Sequence, residues 1–208
     1  MPERRIAPTS TSRDCAAVNI SRHPASCLPV ALFDESSSAG DLFLVVLTDR
    51  LELRRPLETD RARFVELFGD HDFMVFSAGV CGTESANARF DEMLRNAAEL
   101  SYAKQPLTEL STGKIVGYAG VAWFDFEGER RLEFGYRLVP EARGRGYATE
   151  AGRAVLALAA ESFRGELLAM IDPMNRPSSN VARKLGFTFW KQAKVDDYSV
   201  DLYRRVFS

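Results

Sequence analysis

The stretch from Glu133 to Ala159 constrains the fold of this chain more than any other. It begins as an extended apolar segment that Pro140 ends, passes through the glycine turn Arg143–Gly146, and continues as a helix. The helix is predicted from apolar residues that recur with a period of 3.6 residues, namely Ala148, Ala151, Val155, Leu158 and Ala159. A strand that leads through a glycine turn into a helix places unpaired backbone N–H groups at the helix start.

The chemistry of this turn suits a diphosphate. The helix dipole adds partial positive charge beside the unpaired N–H groups, and glycines remove the Cβ atoms that would keep a ligand away from them. Arg143 and Arg145 add full charges. A GxxxxGK[ST] nucleotide loop is excluded because no Lys-Ser or Lys-Thr pair follows the glycines, and the GxGxxG pattern lacks its third glycine. An ordinary strand–helix turn with solvated arginines remains the alternative.

Composition bounds the class of protein. The 208 residues, 46% hydrophobic and 27% charged, suit one globular domain with an ample core. The net charge of −2 argues against a nucleic-acid partner, and no apolar run approaches the roughly 20 residues of a membrane span. The three cysteines, Cys15, Cys27 and Cys81, are odd in number and lack metal-ligand spacing, so we expect no metal and a reducing, cytoplasmic location.

Residues 1–47 differ in composition from the rest of the chain. They contain four prolines, scattered Ser and Thr, and no sustained hydrophobic period. We therefore expect a mostly disordered N-terminal extension ahead of one domain over residues 48–208. Three roles for the extension stay open: a non-functional addition, an arginine-rich transit peptide, or a tail that binds a partner.

The first half of the domain reads as a strand, two helices and a hairpin. Residues 50–54 alternate apolar and charged side chains, which predicts a half-buried strand. One helix is predicted from Thr59, as N-cap, to Gly69, and a second over Thr83–Leu100 with Thr83 as its N-cap. A hairpin follows over residues 107–124, and Gly117 and Gly120 lie inside its second strand, where they indicate a bend or a close approach.

The second half closes with further strands around a short helix. An apolar strand is predicted over Leu167–Ile171, and a helix from Ser178 to a C-terminal cap at Gly186. Two strands complete the chain, roughly over Phe187–Val195 and Tyr198–Phe207.

Two motifs carry a resemblance to a known family. The glycine turn resembles motif A of the GCN5-related N-acetyltransferases (GNAT), Arg/Gln-x-x-Gly-x-Gly/Ala, through Arg143, Gly146 and Ala148. The segment Asn175–Phe187, NRPSSNVARKLGF, resembles motif B, N-x-x-S followed by a short helix ending in K-L-G-F. The strand RLELR and the run EFGY from Glu133 resemble the RimJ/RimL-like branch. The matches cover about 160 residues, from Thr48 to the C-terminus, in the family's order.

The resemblance implies a fold and a cosubstrate. The fold is α+β with three layers, in which helices flank a mixed, mostly antiparallel, splayed sheet. The cosubstrate is acetyl-CoA, whose pantetheine arm pairs with the strand before the turn. A backbone N–H near Leu138 and Val139 would face the thioester oxygen. The expected diphosphate site consists of Arg143, Gly144, Arg145, Gly146, Tyr147 and Ala148.

The implied reaction is direct transfer of the acetyl group to a primary amine, without a covalent enzyme intermediate. The RimJ/RimL-like branch suggests a protein N-terminal α-amino group, as on ribosomal proteins. Many relatives dimerise, so a homodimer is compatible with the resemblance. A non-catalytic CoA-binding sensor or scaffold is the alternative function, and a phosphate-binding protein unrelated to CoA is a third.

Acetyl transfer needs a proton acceptor for the amine and a proton donor for the departing thiolate. Glu133 is the expected base; a salt-bridged strand carboxylate and a water relay are the alternatives. Many family members place the donor on a Tyr where this chain has Ala182. Ser178 is the replacement candidate, with a helix N-cap as its other role. Asn175 either bonds the pantetheine amides or is a turn residue.

Other conspicuous side chains have simpler explanations. Direct transfer needs no thiol, so Cys81 is expected to be inert. His71 is expected to be a surface residue of the acceptor-side loop. Four aromatic residues either line an acceptor pocket or belong to the core: Phe73, Phe76, Trp123 and Phe124.

Overall fold

The computed structural model describes residues 28–33, 42–77, 79–195 and 198–208. Within them, nine strands form one sheet and five helices cover its faces. The strands are β1 (Leu28–Phe33), β2 (Leu42–Leu47), β3 (Leu51–Leu53), β4 (Gln105–Glu109), β5 (Lys114–Phe126), β6 (Glu129–Leu138), β7 (Gly165–Ile171), β8 (Thr188–Val195) and β9 (Tyr198–Phe207). The helices are α1 (Arg61–Gly69), α2 (His71–Met74), α3 (Thr83–Glu99), α4 (Tyr147–Ser162) and α5 (Arg176–Lys184).

The sheet is mixed and mostly antiparallel, as predicted. Its strand order is β1-β2-β3-β4-β5-β6-β7-β9-β8, and only the β6–β7 pair is parallel. Helices α4 and α5 share the main hydrophobic core with one face of the sheet. Helices α1 to α3 form a second core around Tyr118 on the other face. The three-layer arrangement of the prediction is therefore confirmed.

The sheet opens between its two parallel strands. Strands β6 and β7 pair only at Leu132 with Leu167 and at Glu133 with Leu168. Beyond that point β6 continues to Leu138 without β7 beside it. The resulting gap, which we call the cleft, is bordered by residues 134–138 of β6. It opens toward the turn that follows this strand.

Part of the expected N-terminal extension is structured. Residues 28–33 and 42–47 form β1 and β2, which pair with each other, and β2 adds to β3 through Val46 and Leu53. The expectation of disorder does not hold for these two segments, because two short apolar runs can extend an existing sheet edge. The remainder of the expected extension, residues 1–27 and 34–41, lies outside the described residues.

Three predicted helix starts differ from the structure. Thr59 lies inside a 3₁₀ turn, and the carboxylate of Asp60 instead accepts a hydrogen bond from the Leu57 N–H at 2.8 Å. Thr83 is already helical, after an N-cap at Gly82. Helix α5 begins at Arg176, two residues before the predicted start. Capping residue types cluster near helix starts, so a sequence pattern locates the start only to within a few residues.

The close approach expected at the strand glycines is present. A Cβ atom on Gly120 would lie 2.1 Å from the carbonyl oxygen of Ala103, and one on Gly117 would lie 2.0 Å from that of Arg137. Both distances are far below van der Waals contact with rigid backbone. These glycines are required by packing, and the chain crosses β5 directly at Gly120.

We expect Gly120→Ala to destabilise the fold by about 3 kcal/mol, because the new methyl group would overlap a backbone carbonyl. Chemical denaturation of the two proteins measures this difference. Gly82→Ala is the matched control: its Cβ would have no neighbour within 4 Å, so it should lose less than about 1 kcal/mol, the cost of alanine at the N-cap of α3. Equal stability of Gly120→Ala and the parent would contradict the described crossing.

Candidate active site

The backbone of β6 presents polar groups to the cleft. The Val139 N–H donates to the Val116 carbonyl of β5 at 2.9 Å. Because N–H directions alternate along an antiparallel ladder, the odd-numbered N–H groups of this stretch face β5. Those of residues 134, 136 and 138 therefore face the cleft, where β7 no longer pairs with β6.

This alternation separates the two expected oxyanion donors. The N–H of Val139 is occupied within the sheet, so the structure removes it from the prediction. The N–H of Leu138 faces the cleft and stays available to a ligand. The register of β6 on β5 decides between the two.

The turn after β6 has the conformation that a diphosphate site needs. Gly144 and Gly146 adopt positive φ angles of 71° and 86°, and Gly146 is the N-cap of α4. Among the described residues, no acceptor bonds the backbone N–H groups of residues 144–148. They point outward at the start of a 16-residue helix. Tyr147 and Ala148 have buried side chains, so each offers a ligand only its N–H.

Arg50 and Glu150 fasten this turn to the sheet. Arg50 Nη1 donates to the carbonyl of Arg145 at 2.8 Å, and its Nε donates to Glu150 Oε2 at 2.8 Å. Thr48 Oγ1 donates to the same carboxylate at 2.6 Å. Burial alone would raise the pKa of Glu150, but the donors of Thr48 and Arg50 outweigh it and lower the pKa. An ionised carboxylate therefore holds the turn at neutral pH.

Arg145 forms an ion pair with a buried carboxylate. Its Nη1 lies 2.8 Å from Oε1 of the buried Glu109, which also accepts from Tyr147 Oη at 2.5 Å. The hydrogen bond from Tyr147, followed by one from Thr112, lowers the pKa of Glu109, and the same contact raises the pKa of Tyr147. The Arg145 side chain is thus paired with Glu109, and its expected part in the diphosphate site stays a prediction.

The lowered pKa of Glu109 gives a pH-dependent contribution to stability. This contribution is complete above the unfolded-state pKa of about 4.3 and is lost as the pH falls through the lower folded-state pKa. Glu109→Gln should therefore be less stable than the parent at pH 7, and the difference should narrow below about pH 4. Urea unfolding at several pH values measures it, with the exposed Glu141→Gln as control. A difference that is independent of pH would contradict the ionised carboxylate.

Arg143 bridges the end of β6 and helix α2. Its Nε donates to the Leu138 carbonyl at 3.1 Å, and its Nη2 donates to the Asp72 carbonyl. No carboxylate among the described side chains lies within 4 Å of this guanidinium. Arg143 therefore keeps an unneutralised charge next to the turn.

Helix α5 places Ser178 against β6. Asn175 is the N-cap, because its side-chain oxygen accepts from the Ser178 N–H at 3.2 Å. The N-cap alternative for Ser178 is therefore wrong, and Asn175 takes that role. The Ser178 hydroxyl lies 3.0 Å from Tyr136 Oη, across the mouth of the cleft. Ala182 is buried and offers no donor.

Tyr136 was not identified from the sequence. Burial raises its pKa, although Ser178 and Arg143 act in the opposite sense, so the phenol stays protonated at neutral pH. It can donate to Ser178 Oγ and leave the serine proton free to face the cleft. In the sequence Tyr136 belongs to the EFGY run, which predicts a strand residue and no catalytic role.

Glu133 lies where the cleft closes, on the opposite face of β6 from Tyr136. Its side chain is 17% exposed, and Oε2 is 3.9 Å from Nζ of Lys104. A loose ion pair of this kind leaves both groups able to contact a ligand. The alternative of a salt-bridged strand carboxylate is thus present as a weak ion pair with Lys104. This ion pair does not exclude Glu133 as the general base.

The other conspicuous residues lie outside the cleft or in the core. His71 is almost fully exposed, and Cys81 is a half-buried free thiol packed against the second core. Phe73 is buried in that core, while Phe76 is exposed. The remaining aromatic pair, Trp123 and Phe124, is half-buried.

Neither metal ligation nor a membrane span is apparent in the described part of the chain. No group of three His, Cys, Asp or Glu residues there has the arrangement of a metal site. No helix there is long and apolar enough to cross a membrane.

Comparison with known proteins agrees with this geometry. The model of the acetyltransferase (GNAT) domain family matches residues 50–188. The uncharacterized protein YkkB of Bacillus subtilis is 29% identical over 162 residues, which cover 77% of this chain and 94% of YkkB. The crystal structure of an acetyltransferase from Agrobacterium tumefaciens is 26% identical, with a TM-score of 0.66, over 77% of this chain and 93% of that one.

Two more distant structures share the fold. A ribosomal-protein-S5-alanine acetyltransferase from Vibrio fischeri is 15% identical, with a TM-score of 0.65, over 78% of this chain and 96% of that one. The aminoglycoside acetyltransferase AAC(6')-Ib in complex with coenzyme A is 17% identical, with a TM-score of 0.61, over 75% of this chain and 94% of that one. At these identities the likeness shows the fold alone.

Proposed function

Because this chain belongs to the GNAT acetyltransferase family, we propose that it transfers the acetyl group of acetyl-CoA to a primary amine. The acceptor class that we propose is an α-amino group, including that of a protein N-terminus as in the RimJ/RimL-like branch. The ribosomal-protein-S5-alanine acetyltransferase of Vibrio fischeri, which shares the fold, supports this choice. We also propose a cytoplasmic location, supported by the odd number of cysteines.

One observation carries the proposal: the cleft beside β6 leads directly to the unpaired N–H groups at the start of α4. An extended arm with amide groups can pair with the cleft-facing backbone groups of residues 134 and 136 and with the Leu138 N–H, as an added strand would. A diphosphate at its end fits the N–H groups of residues 144–148. Gly146 has no Cβ to obstruct it, and Arg143 adds positive charge.

The side chains around the cleft can handle both protons of the reaction. Glu133 would take the proton that the amine loses as its nitrogen attacks the thioester carbon. With the diphosphate at the turn, the thioester end of the arm lies toward Glu133. A cleft-facing N–H there, that of Phe134 or Tyr136, would donate to the carbonyl oxygen as it gains negative charge, and the Leu138 N–H would bond the arm. Ser178 would give its proton to the departing sulfur as it takes the proton of Tyr136, whose phenol donates to the serine oxygen. No covalent intermediate is needed, consistent with the packing of the Cys81 thiol against the second core.

We expect Ser178→Ala to lower kcat by about tenfold to a hundredfold while the KM for acetyl-CoA changes little. Tyr136→Phe should produce a smaller loss, and the double variant should lose no more than Ser178→Ala, because both act through one hydrogen bond. Steady-state kinetics of the three variants measures this. Ser179→Ala, one residue along α5, is the control. Additive losses would show that Tyr136 and Ser178 do not act together.

The function is tested by ligand binding and then by turnover. Acetyl-CoA at about 100 times its Kd should stabilise the protein by roughly 2.7 kcal/mol, and ATP should not. Release of free thiol from acetyl-CoA in the presence of an amine and peptide panel would establish catalysis. Stabilisation without thiol release for any acceptor would favour a non-catalytic CoA-binding module. The absence of any stabilisation would remove the diphosphate assignment.

A further inference from the structure

Building on the acetyl transfer proposed above, we propose that the acceptor carries a carboxylate close to its reacting amine and that Lys104 binds this carboxylate beside Glu133. The relevant side chains lie on the face of β6 opposite Tyr136. Nothing in the sequence pattern of Lys104 indicated such a role.

Two facing glycines determine the position of Lys104. Gly120 of β5 and Gly135 of β6 are direct partners in the sheet register. A Cβ atom on Gly120 would lie 2.5 Å from Cα of Lys104, and one on Gly135 would lie 3.7 Å from its Cε. The lysine backbone therefore crosses the first glycine, and its side chain lies over the second. Its ammonium is thereby held 3.9 Å from the Glu133 carboxylate.

The charges on this face are unbalanced. At that separation Lys104 makes an ion pair but no hydrogen bond, and no other described carboxylate lies within 4 Å of its ammonium. Arg137 follows on the same face of β6, and its described partners are the neutral Tyr118 hydroxyl and Val75 carbonyl. Tyr118 lies between the two cations, since its ring centroid is 5.9 Å from Lys104 Nζ. Two cations thus accompany one carboxylate.

An α-amino acid complements this arrangement. Its nitrogen and its carboxylate oxygens are about 3 Å apart by covalent geometry, close to the separation of Glu133 and Lys104. The amine can therefore approach Glu133 while the carboxylate reaches Lys104. Polyamines and aminoglycosides would instead bring extra positive charge beside Lys104 and Arg137, which opposes their binding.

The same carboxylate has two sources: a free amino acid, or an acidic side chain on the first residue of a peptide. The acceptor panel should contain L-amino acids, their amides and their decarboxylated amines. It should also contain peptides that begin with Glu and with Gln. Carboxylate-bearing acceptors should have a kcat/KM about tenfold or more above their neutral counterparts. A higher kcat/KM for free amino acids than for their amides identifies the free amino acid as the source. A higher kcat/KM for the peptide that begins with Glu than for the one that begins with Gln identifies the acidic side chain.

Lys104→Met tests the residue itself. The KM for carboxylate-bearing acceptors should rise about tenfold, whereas the KM for the amides and for acetyl-CoA should stay unchanged. Lys104→Arg keeps the positive charge, so it should retain the preference for carboxylate-bearing acceptors. If this variant also loses the preference, the effect of Lys104→Met comes from altered packing and not from the lost charge. Lys194→Met, exposed on β8, is the control.

Three outcomes would overturn the inference. One is an equal kcat/KM of the parent for carboxylate-bearing acceptors and for their amides. Another is a loss of kcat/KM in Lys104→Met that is the same for every acceptor. If no amine is acetylated although acetyl-CoA binds, the proposed function itself fails, and the inference about its acceptor fails with it.

Discussion

Gly146→Glu should abolish measurable binding of acetyl-CoA. The substitution places a carboxylate at the N-cap of α4, against the position proposed for the diphosphate. Like charges in contact cost several kcal/mol, which corresponds to a loss in affinity of more than about a hundredfold. The φ of 86° at Gly146 adds strain for any other residue. Isothermal titration with acetyl-CoA measures the loss.

Gly146→Gln separates charge from strain. Glutamine has the same length and suffers the same backbone strain, but it has no charge, so we expect it to lose much less affinity than the glutamate variant. Circular dichroism and thermal unfolding should show that both variants are folded. An affinity of Gly146→Glu equal to that of the parent would exclude the turn as the diphosphate site.

Glu133→Gln should lower kcat by about a hundredfold or more, with little change in the KM for acetyl-CoA. The amide has the shape of the carboxylate but cannot take the proton of the attacking amine. Since Glu133 lies where β6 and β7 part, the substitution leaves the diphosphate turn untouched. The measurement is steady-state kinetics with an acceptor found in the amine panel.

Glu129→Gln is the matched control, because it removes an exposed carboxylate at the start of the same strand. Its kcat should equal that of the parent. If Glu133→Gln loses less than about fivefold, a water relay carries the proton, since a positioned general base contributes far more than that. Glu133 would then have only the loose contact with Lys104.

Local sequence patterns were sufficient to predict most of the fold. The helices and the long strands follow from periodicity, and the glycine turn and Gly186 follow from the backbone conformations that glycine permits. The prediction was less accurate where several residues compete for one role. Asn175 and Ser178 both suit an N-cap, and the N-cap is Asn175. The strands β1 and β2 were missed because their pairing depends on the sheet edge at β3.

Contacts between distant residues were not predictable from one sequence. Tyr136 and Ser178 are 42 residues apart, and the bond between Glu109 and Tyr147 spans 38. Such pairs depend on how β6 meets α5 and how β4 meets α4, which no local pattern specifies. The ion pair of Arg145 could not be predicted for the same reason, since its partner Glu109 lies on β4. The choice of Leu138 over Val139 depends on strand register.

The cleft also bears on strand pairing between copies of this protein. Unpaired strand edges invite pairing with a second chain and are a common origin of aggregation. Here the unpaired groups belong to residues 134–138 in the interior of the sheet, and β7 closes the opening at Glu133. A strand from another chain could form only a short ladder of hydrogen bonds here, and the stability of such a short pairing is marginal in water. A strand edge of this length inside the sheet can therefore bind a narrow extended ligand without pairing stably with a strand of another protein.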